Sequence, residues 1–384
     1  MASPITVPKG LEHVVLGESA VSLVAGETGG LVYRGYDIRE LAGHASYEAV
    51  VELLLSGEPP PSPVPPKLSS ELVALRRLPP EAESVEAALA PTLPPLEAMR
   101  TLLSCLGDGS QGYPPTRAQG LELIARTPVL LARHVRRAAH EPPVPPREEL
   151  GHVANYLWML TGVEPDPARV RALETYFVLL ADHGMNASTF ALCVVLSTQS
   201  DLFSAATAAL AALKGPAHGG APSKVSEMLD SVGEAGRARD WITERLDRRE
   251  RLYGFGHRAY KTEDPRAVIL HSVAREVADP ARLRLAEAVE AVALEELQRR
   301  RPTQRLYTNV EFYSAVVLEA VGLSPDLFTP TFGVARTVGW MAHALEQAAD
   351  NRLIRPDVQY TGPPAGRRWP ASAALPNLSK RRGV

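Results

Sequence analysis

Pro280-Ala-Arg-Leu-Arg-Leu-Ala-Glu-Ala-Val-Glu-Ala-Val-Ala-Leu-Glu-Glu-Leu-Gln-Arg-Arg300 opens with a proline suited to a first helical turn and contains no glycine. Leu285, Val289, Val292 and Ala293 recur at three- and four-residue steps, while Glu287, Glu290, Glu295 and Arg299 fall on the opposite side. That period belongs to an amphipathic helix with one face turned to a core. The same spacing runs outward in both directions. It predicts helices over 148–161, 169–180, 187–198, 202–213, 223–232, 240–251 and 265–278, and beyond the quoted stretch over 310–321 and 333–348.

Nearer the N-terminus, Ser46 is placed to cap a helix with Ala49, Val50, Leu53 and Leu54 inside, ending at Gly57. Another is expected over 95–106, and Thr127-Pro128 reads as a cap and first-turn proline opening a helix through Arg137. Strand is expected only near residues 20–25 and 31–33, on either side of the turn Gly26-Glu-Thr-Gly-Gly30. The fold class is therefore all-α with a small N-terminal β-ribbon. The proline runs 59–66 and 141–146 read as extended loops, and the tail 361–384 lacks periodicity.

Composition narrows the function. Forty-one basic against 44 acidic residues, net charge -3, argue against a nucleic-acid or membrane-surface partner. No apolar run approaches the ~20 residues of a spanning helix, and residues 1–10 are proline-broken and unlike a signal peptide, so a cytoplasmic protein is expected. The two cysteines, Cys105 and Cys193, sit in apolar helical runs and read as free packing thiols. No His/Cys spacing suits zinc, so no metal site is expected.

Chemistry gathers in short islands. Gly215-Pro-Ala-His-Gly-Gly-Ala221 sets His218 before a helix start, where the dipole's positive end keeps an imidazole neutral. Gly254-Phe-Gly-His-Arg-Ala-Tyr-Lys-Thr-Glu-Asp-Pro-Arg266 places His257, Arg258, Lys261 and Arg266 beside glycines that let a backbone approach an anion. Its likeness to a dinucleotide fingerprint fails, because residues 248–252 read as a polar helix end rather than a strand. Asn309-Val-Glu-Phe-Tyr-Ser314 sets a carboxylate at a helix start, and Ala181-Asp-His-Gly-Met-Asn-Ala-Ser-Thr189 places polar groups between apolar helices. Arg336 lies inside an apolar helix and must find an anion or water. Taken singly, each island also fits a structural turn, a helix-dipole acid or an internal ion pair.

In chain order, Leu31-Val-Tyr-Arg-Gly-Tyr-Asp-Ile38, Asp182-His-Gly-Met-Asn-Ala-Ser188, the His218, His257 and Glu311 islands and Asp350-Asn-Arg-Leu-Ile-Arg-Pro356 together resemble the motifs of the citrate synthase family, closest to its short prokaryotic type. The resemblance covers roughly residues 11–360. It implies a two-domain helical fold, with 1–217 and 329–384 forming a large domain and 218–328 a small one that closes on substrate. It also implies a homodimer. The implied activity is an acyltransferase of the tricarboxylic acid cycle that condenses acetyl-CoA with oxaloacetate and hydrolyses the product to citrate and CoA, with no cofactor beyond the thioester substrate. The close alternative is a 2-methylcitrate synthase using propionyl-CoA; another is a weakly active or non-catalytic paralogue that binds ligand.

The resemblance assigns Glu311 as base, His218 as stabiliser of the enol and His257 as proton donor to the alkoxide. It places oxaloacetate among His183, Arg266, Arg336 and the partner-reaching Arg355, with Ser188 orienting His218, and CoA along Leu252, Gly254, Phe255, Gly256 and Lys261. This chain departs from the family in using Glu311 where aspartate is usual, Ala315 where glycine is common and Pro222 where asparagine is common. The longer acid displaces a carboxylate by about 1 Å, a scale that can cost on the order of a hundredfold in rate.

Overall fold

The structure is a computed structural model, described here for residues 9–11, 14–107, 112–257 and 259–366. Three short strands, β1 (Ser22–Ala25), β2 (Gly30–Tyr33) and β3 (Tyr36–Asp37), form an antiparallel sheet in that order. Ser22 pairs with Tyr33 and Ala25 with Gly30 around the expected turn. The third strand was not expected; it arises where Arg34 (φ 47) and Gly35 (φ 93) reverse the chain within two residues. Leu31 and Tyr33 point into the core, as period-2 alternation requires.

The rest is helical: α1 (Ile38–Leu41), α2 (Tyr47–Ser56), α3 (Pro66–Leu75), α4 (Pro80–Ala88), α5 (Pro95–Ser104), α6 (Arg117–Ala138), α7 (His152–Thr161) and α8 (Pro167–Leu180). There follow α9 (Ala187–Ser197), α10 (Leu202–Leu213), α11 (Ala221–Val232), α12 (Ala238–Asp247), α13 (Pro265–Val277), α14 (Pro280–Arg300), α15 (Val310–Ala320) and α16 (Phe328–Ala349). Ser46 caps α2 through the Ala49 N–H at 3.1 Å, and Gly57 ends it at φ 87. In α14, Leu285, Val289 and Ala293 are buried as the spacing predicts. Glu290, expected on the solvent side, instead accepts hydrogen bonds from Thr308 and Tyr313.

Four expectations are corrected. Thr127-Pro128 does not open a helix: α6 starts at Arg117, where Thr116 and Gln119 form a reciprocal capping box, and Pro128 lies in its interior. Thr127 bonds back to the Leu123 carbonyl at 2.5 Å, an interior contact that resembles a cap in sequence alone. Two helices, α3 and α4, escaped the periodic reading because proline-rich flanks masked them; each begins with proline at its first position. Helix α12 stops at Asp247, not residue 251, and α16 starts five residues before Gly333, with Pro330 accommodated in its first turn.

Helix α16 is the central element, buried from Phe328 to Ala344 and packed against α2, α6, α8, α9 and α10. Trp340, Phe328 and Arg336 are among its fully buried side chains. Both cysteines are free, Cys193 buried with its thiol pushed up to about 12 by burial. Among the described residues no helix is long and apolar enough to cross a membrane. The chain divides into one compact unit through Leu353 and a second from Ile354. In the second, residues 354–366 form no helix or strand, and residues 367–384 of the aperiodic tail lie outside the described residues.

Candidate active site

Three connections, the start of α15 and α16 supply the site. The first joins α8 to α9. There the Tyr33 hydroxyl donates to the Asp182 carbonyl at 2.9 Å and accepts from the Asp182 N–H at 3.1 Å, holding the loop to the ribbon. The Asp182 carboxylate accepts from Ser22, from the Gly184 N–H at 2.9 Å and from His343 Nε2 of α16 at 3.2 Å. Burial opposes its charge, but His343 and Arg336 outweigh that and hold the carboxyl down at about 2. A side chain at Gly339 would place its Cβ 2.3 Å from the Ala181 carbonyl, so only glycine lets α16 approach this loop. The loop thereby presents His183, whose Nε2 lies 3.2 Å from the Tyr260 hydroxyl.

The second connection, between α10 and α11, carries His218. Its Nε2 is 2.9 Å from Ser188 Oγ, and its ring meets Phe332 edge-on at 6.1 Å. Burial first, then the charge of Arg336, lowers His218 to about 4, so the ring is neutral at physiological pH. The neutral state expected from the helix dipole holds, but burial is its main cause.

The third connection, between α12 and α13, carries His257. Gly254 (φ 86) and Gly256 (φ 79) adopt backbone conformations favouring glycine, and a Cβ on Gly254 would lie 2.7 Å from the Phe312 ring. Phe255 bridges to Thr308 in antiparallel fashion, the Gly256 N–H donates to the Tyr307 carbonyl at 2.7 Å, and the Asn309 N–H donates to the Gly254 carbonyl at 2.9 Å. The Asn309 side chain adds a bond to the Gly256 carbonyl at 2.8 Å while its oxygen caps α15 at Glu311. The histidine loop and the carboxylate helix are thus one hydrogen-bonded unit.

His257 Nδ1 accepts backbone N–H groups from Ala259 (2.9 Å) and Tyr260 (3.0 Å), which places the proton of the neutral ring on Nε2. Burial and Arg266 lower it to about 4. Arg266 Nη2 lies 3.4 Å from Nε2; two donors cannot bond each other, so the Nε2–H and the second N–H of Nη2 can both meet an acceptor between them. Asp264 fixes Arg266 from behind through Nε at 3.0 Å and Nη2 at 2.8 Å, and also accepts from the Val310 N–H at 3.0 Å.

Glu311 is the second residue of α15, and its carboxyl accepts from its own backbone N–H. Burial pushes its carboxyl up to about 7, with Arg266 pulling down and Asp264 pushing up. Arg336, 1% exposed, donates Nε to the Leu180 carbonyl at 2.6 Å and lies 4.7 Å above the Phe332 ring. It has no ion-pair partner among the described residues. A buried guanidinium has the planar fork of donors that suits a carboxylate.

The family model described as citrate synthase, C-terminal domain, matches residues 10–357. The chain belongs to the citrate synthase family. It is 41% identical to the citrate synthase of Haloferax volcanii over 368 residues, covering 92% of this chain and 95% of that one. It is 36% identical to a 2-methylcitrate synthase of Mycobacterium tuberculosis, covering 93% and 91%. Among solved structures, the ternary complex of Thermoplasma acidophilum citrate synthase with carboxymethyl coenzyme A and oxaloacetate superposes with a TM-score of 0.88 at 26% identity, covering 95% of this chain and 99% of that one. The expected all-α fold with a small N-terminal β-ribbon is that family's fold.

Against the family's expected site, the structure groups His183, Ser188, His218, His257, Arg266, Glu311 and Arg336 through the contacts and charges above. Leu252 and Phe255 are buried, with Phe255 against the Phe312 ring at 5.2 Å, so Gly254 and Gly256 offer mainly backbone. Beside them a cavity of about 360 Å³ is lined by His257, Lys261, Gln304, Arg305 and Tyr307 among others. Lys261 is exposed and paired with Glu27 at 2.6 Å. Arg355, in the second unit, is 78% exposed and loosely paired with Asp357 at 3.9 Å. Arg258 lies outside the described residues.

Sequence reading missed several supporting residues. Asp264 was detectable as an Asp-Pro helix start, and Arg305 as a cation near the Glu311 island. The partners Asp182–His343 and Ser188–Trp340 are separated by more than 150 residues and leave no local trace.

Proposed function

We propose that this protein condenses acetyl-CoA with oxaloacetate and hydrolyses the resulting thioester to citrate and CoA. The observation that carries the reading is His257 Nε2 set 3.4 Å from the buried Arg266 guanidinium, in a loop hydrogen-bonded to the start of α15, where burial pushes the Glu311 carboxyl up to about 7. The family relatives agree with it.

Glu311, ionised, takes a proton from the thioester methyl, and His218 donates a hydrogen bond to the oxygen that becomes enolic. The electron pair released from the C–H bond attacks the keto carbon of oxaloacetate. The keto oxygen takes the Nε2 proton of His257, helped by the adjacent Arg266 guanidinium. His183, Arg266 and Arg336 hold the carboxylates of oxaloacetate, and the 252–256 backbone with Lys261 receives CoA. Water then cleaves the citryl thioester. Every proton transfer belongs to a side chain of the protein, and coenzyme A enters as substrate, with no metal or separate cofactor in the scheme.

In this reading the segment 218–328 closes as a small domain over the remainder (1–217 and 329–384). His257, Arg266 and Glu311 belong to the closing part, and His183, Ser188 and Arg336 to the other. Closure excludes the water that would quench the enol. The protein acts as a cytoplasmic homodimer, with the exposed Arg355 reaching the partner's oxaloacetate site.

The test is thiol release from acetyl-CoA and from propionyl-CoA in the presence of oxaloacetate. A higher kcat/KM for acetyl-CoA is expected. A preference for propionyl-CoA would reassign the acyl substrate, and release from neither would refute condensation.

A further inference from the structure

Gly26 sits in the turn between β1 and β2, yet the space beside it is filled by the His257 loop. Its backbone lies outside the left-handed region, so the turn itself does not call for glycine there. A Cβ at this position would instead collide with the Ala259 carbonyl oxygen, and would lie 3.0 Å from its carbon and 3.8 Å from its Cα. That order of distances means the carbonyl is aimed at the space glycine leaves open.

The next amide is gripped as well: the Lys261 N–H donates to the Gly26 carbonyl at 3.0 Å. Gly29 continues the seam, since a Cβ there would lie 2.6 Å from Thr262 Oγ1 and 3.0 Å from the Glu263 carbonyl oxygen. Arg39 ties the turn down from the ribbon side, its Nη2 donating to the Gly29 carbonyl at 3.1 Å. The Lys261–Glu27 ion pair spans the same seam at 2.6 Å, but both side chains are exposed and the pair contributes little.

The Ala259 carbonyl and the Tyr260 N–H belong to one trans peptide unit, which is planar, with its C=O and N–H pointing opposite ways. The carbonyl faces Gly26, and the N–H donates to His257 Nδ1 at 3.0 Å. Turning the carbonyl away from the ribbon therefore swings this N–H off the ring. The Ala259 N–H, one peptide earlier, donates to the same nitrogen at 2.9 Å. Together the two amides hold the proton of His257 on Nε2, the nitrogen that serves the keto oxygen of oxaloacetate.

We propose that Gly26 is a positioning residue for the reaction: by admitting the Ala259 carbonyl it seats the 259–261 backbone on the ribbon turn, which keeps the Tyr260 N–H on His257 and the proton of that imidazole on Nε2. The inference deepens the condensation reading and rests on it. Gly26 acts through the loop and touches no substrate in this role.

The experiment pairs steady-state kinetics with imidazole 15N spectra of the ligand-free protein, His257 being assigned by comparison with His257→Gln. Native His257 is expected to carry its proton on Nε2. Gly26→Ala should populate the Nδ1 tautomer and lower kcat roughly 10- to 100-fold, the scale of a group displaced by about 1 Å. KM for oxaloacetate should change little, because Arg266 and Arg336 still hold its carboxylates. Gly30→Ala, at the other end of the turn, sets its Cβ 3.3 Å from Ala25 rather than against the loop, and should leave both tautomer and kcat near native.

Lys261→Pro and Lys261→Ala both lose the ammonium, but only proline also removes the N–H that bonds Gly26. Lys261→Pro should therefore show the Nδ1 tautomer and a kcat below that of Lys261→Ala, even if Gly26→Ala folds poorly. A native His257 tautomer in both Gly26→Ala and Lys261→Pro overturns the proposal. So does a Gly30→Ala enzyme as slow as Gly26→Ala, which would place the effect in the ribbon at large. The spectra need no substrate, so failure of condensation itself would appear separately, as absence of CoA release from the native protein.

Discussion

Replacing Glu311 with glutamine should abolish turnover and at the same time make the protein more stable above neutral pH. The carboxyl is displaced from an ordinary 4.5 to about 7, chiefly by burial. At 1.36 kcal/mol per pH unit that displacement corresponds to about 3 kcal/mol, an upper bound on what the buried charge costs the free protein. The folded state binds this proton more tightly than the unfolded chain does. Its contribution to stability is therefore complete below about 4.5, is lost as pH rises toward 7, and stays lost above. Glutamine has nearly the same shape and never ionises. Urea titrations at pH 8 should show Glu311→Gln more stable by up to about 3 kcal/mol, and at pH 4 the two proteins should coincide. Over the same range the native kcat/KM should fall tenfold per pH unit below about 7, because only ionised Glu311 can take the methyl proton. Two results would refute the reasoning: equal stabilities at pH 8, or an acid limb centred near 4.5, which would mean the carboxylate is solvated and the cleft wet.

Other substitutions probe the remaining parts. Glu311→Asp, restoring the family's usual base, should keep or raise citrate formation in the thiol-release assay; if neither it nor Glu311→Gln changes turnover, Glu311 is not the base. Arg336→Met removes the unpaired guanidinium and should raise KM for oxaloacetate roughly 10- to 100-fold, the loss of one charge-assisted contact, with KM for acetyl-CoA little changed in steady-state kinetics. His343→Ala removes one hydrogen-bond donor from the buried Asp182 carboxylate and should cost about 1–3 kcal/mol in urea unfolding. Gly254→Ala drives a Cβ against the Phe312 ring in an already left-handed backbone; a loss of about 2 kcal/mol in stability and a lower kcat, through displacement of the adjacent Glu311, should appear together.

Much of the helical framework was legible because an amphipathic helix writes its period into consecutive residues. The 280–300 stretch could not bury Leu285, Val289 and Ala293 together in any other local conformation. Caps with short-range chemistry were equally readable, as at Ser46 and Gly57. Where local signals competed, reading failed: Thr127-Pro128 has the composition of a helix start, but the capping box at Thr116 and the burial of residues 120–132 made it an interior.

The islands bearing His218, His257 and Glu311 also stood out in the chain, since glycines and polar groups interrupt apolar helices there. Their protonation states did not. A histidine or glutamate has an ordinary affinity for protons until tertiary packing removes water and sets an arginine beside it. Residues 1–384 in order specify which groups are available and which helices carry them. Only the folded arrangement, with α16 driven against the Asp182 loop and Asp264 binding Arg266 to the start of α15, settles how near those groups stand and how much charge each can hold, because desolvation and Coulomb energy depend on distances through space rather than along the chain.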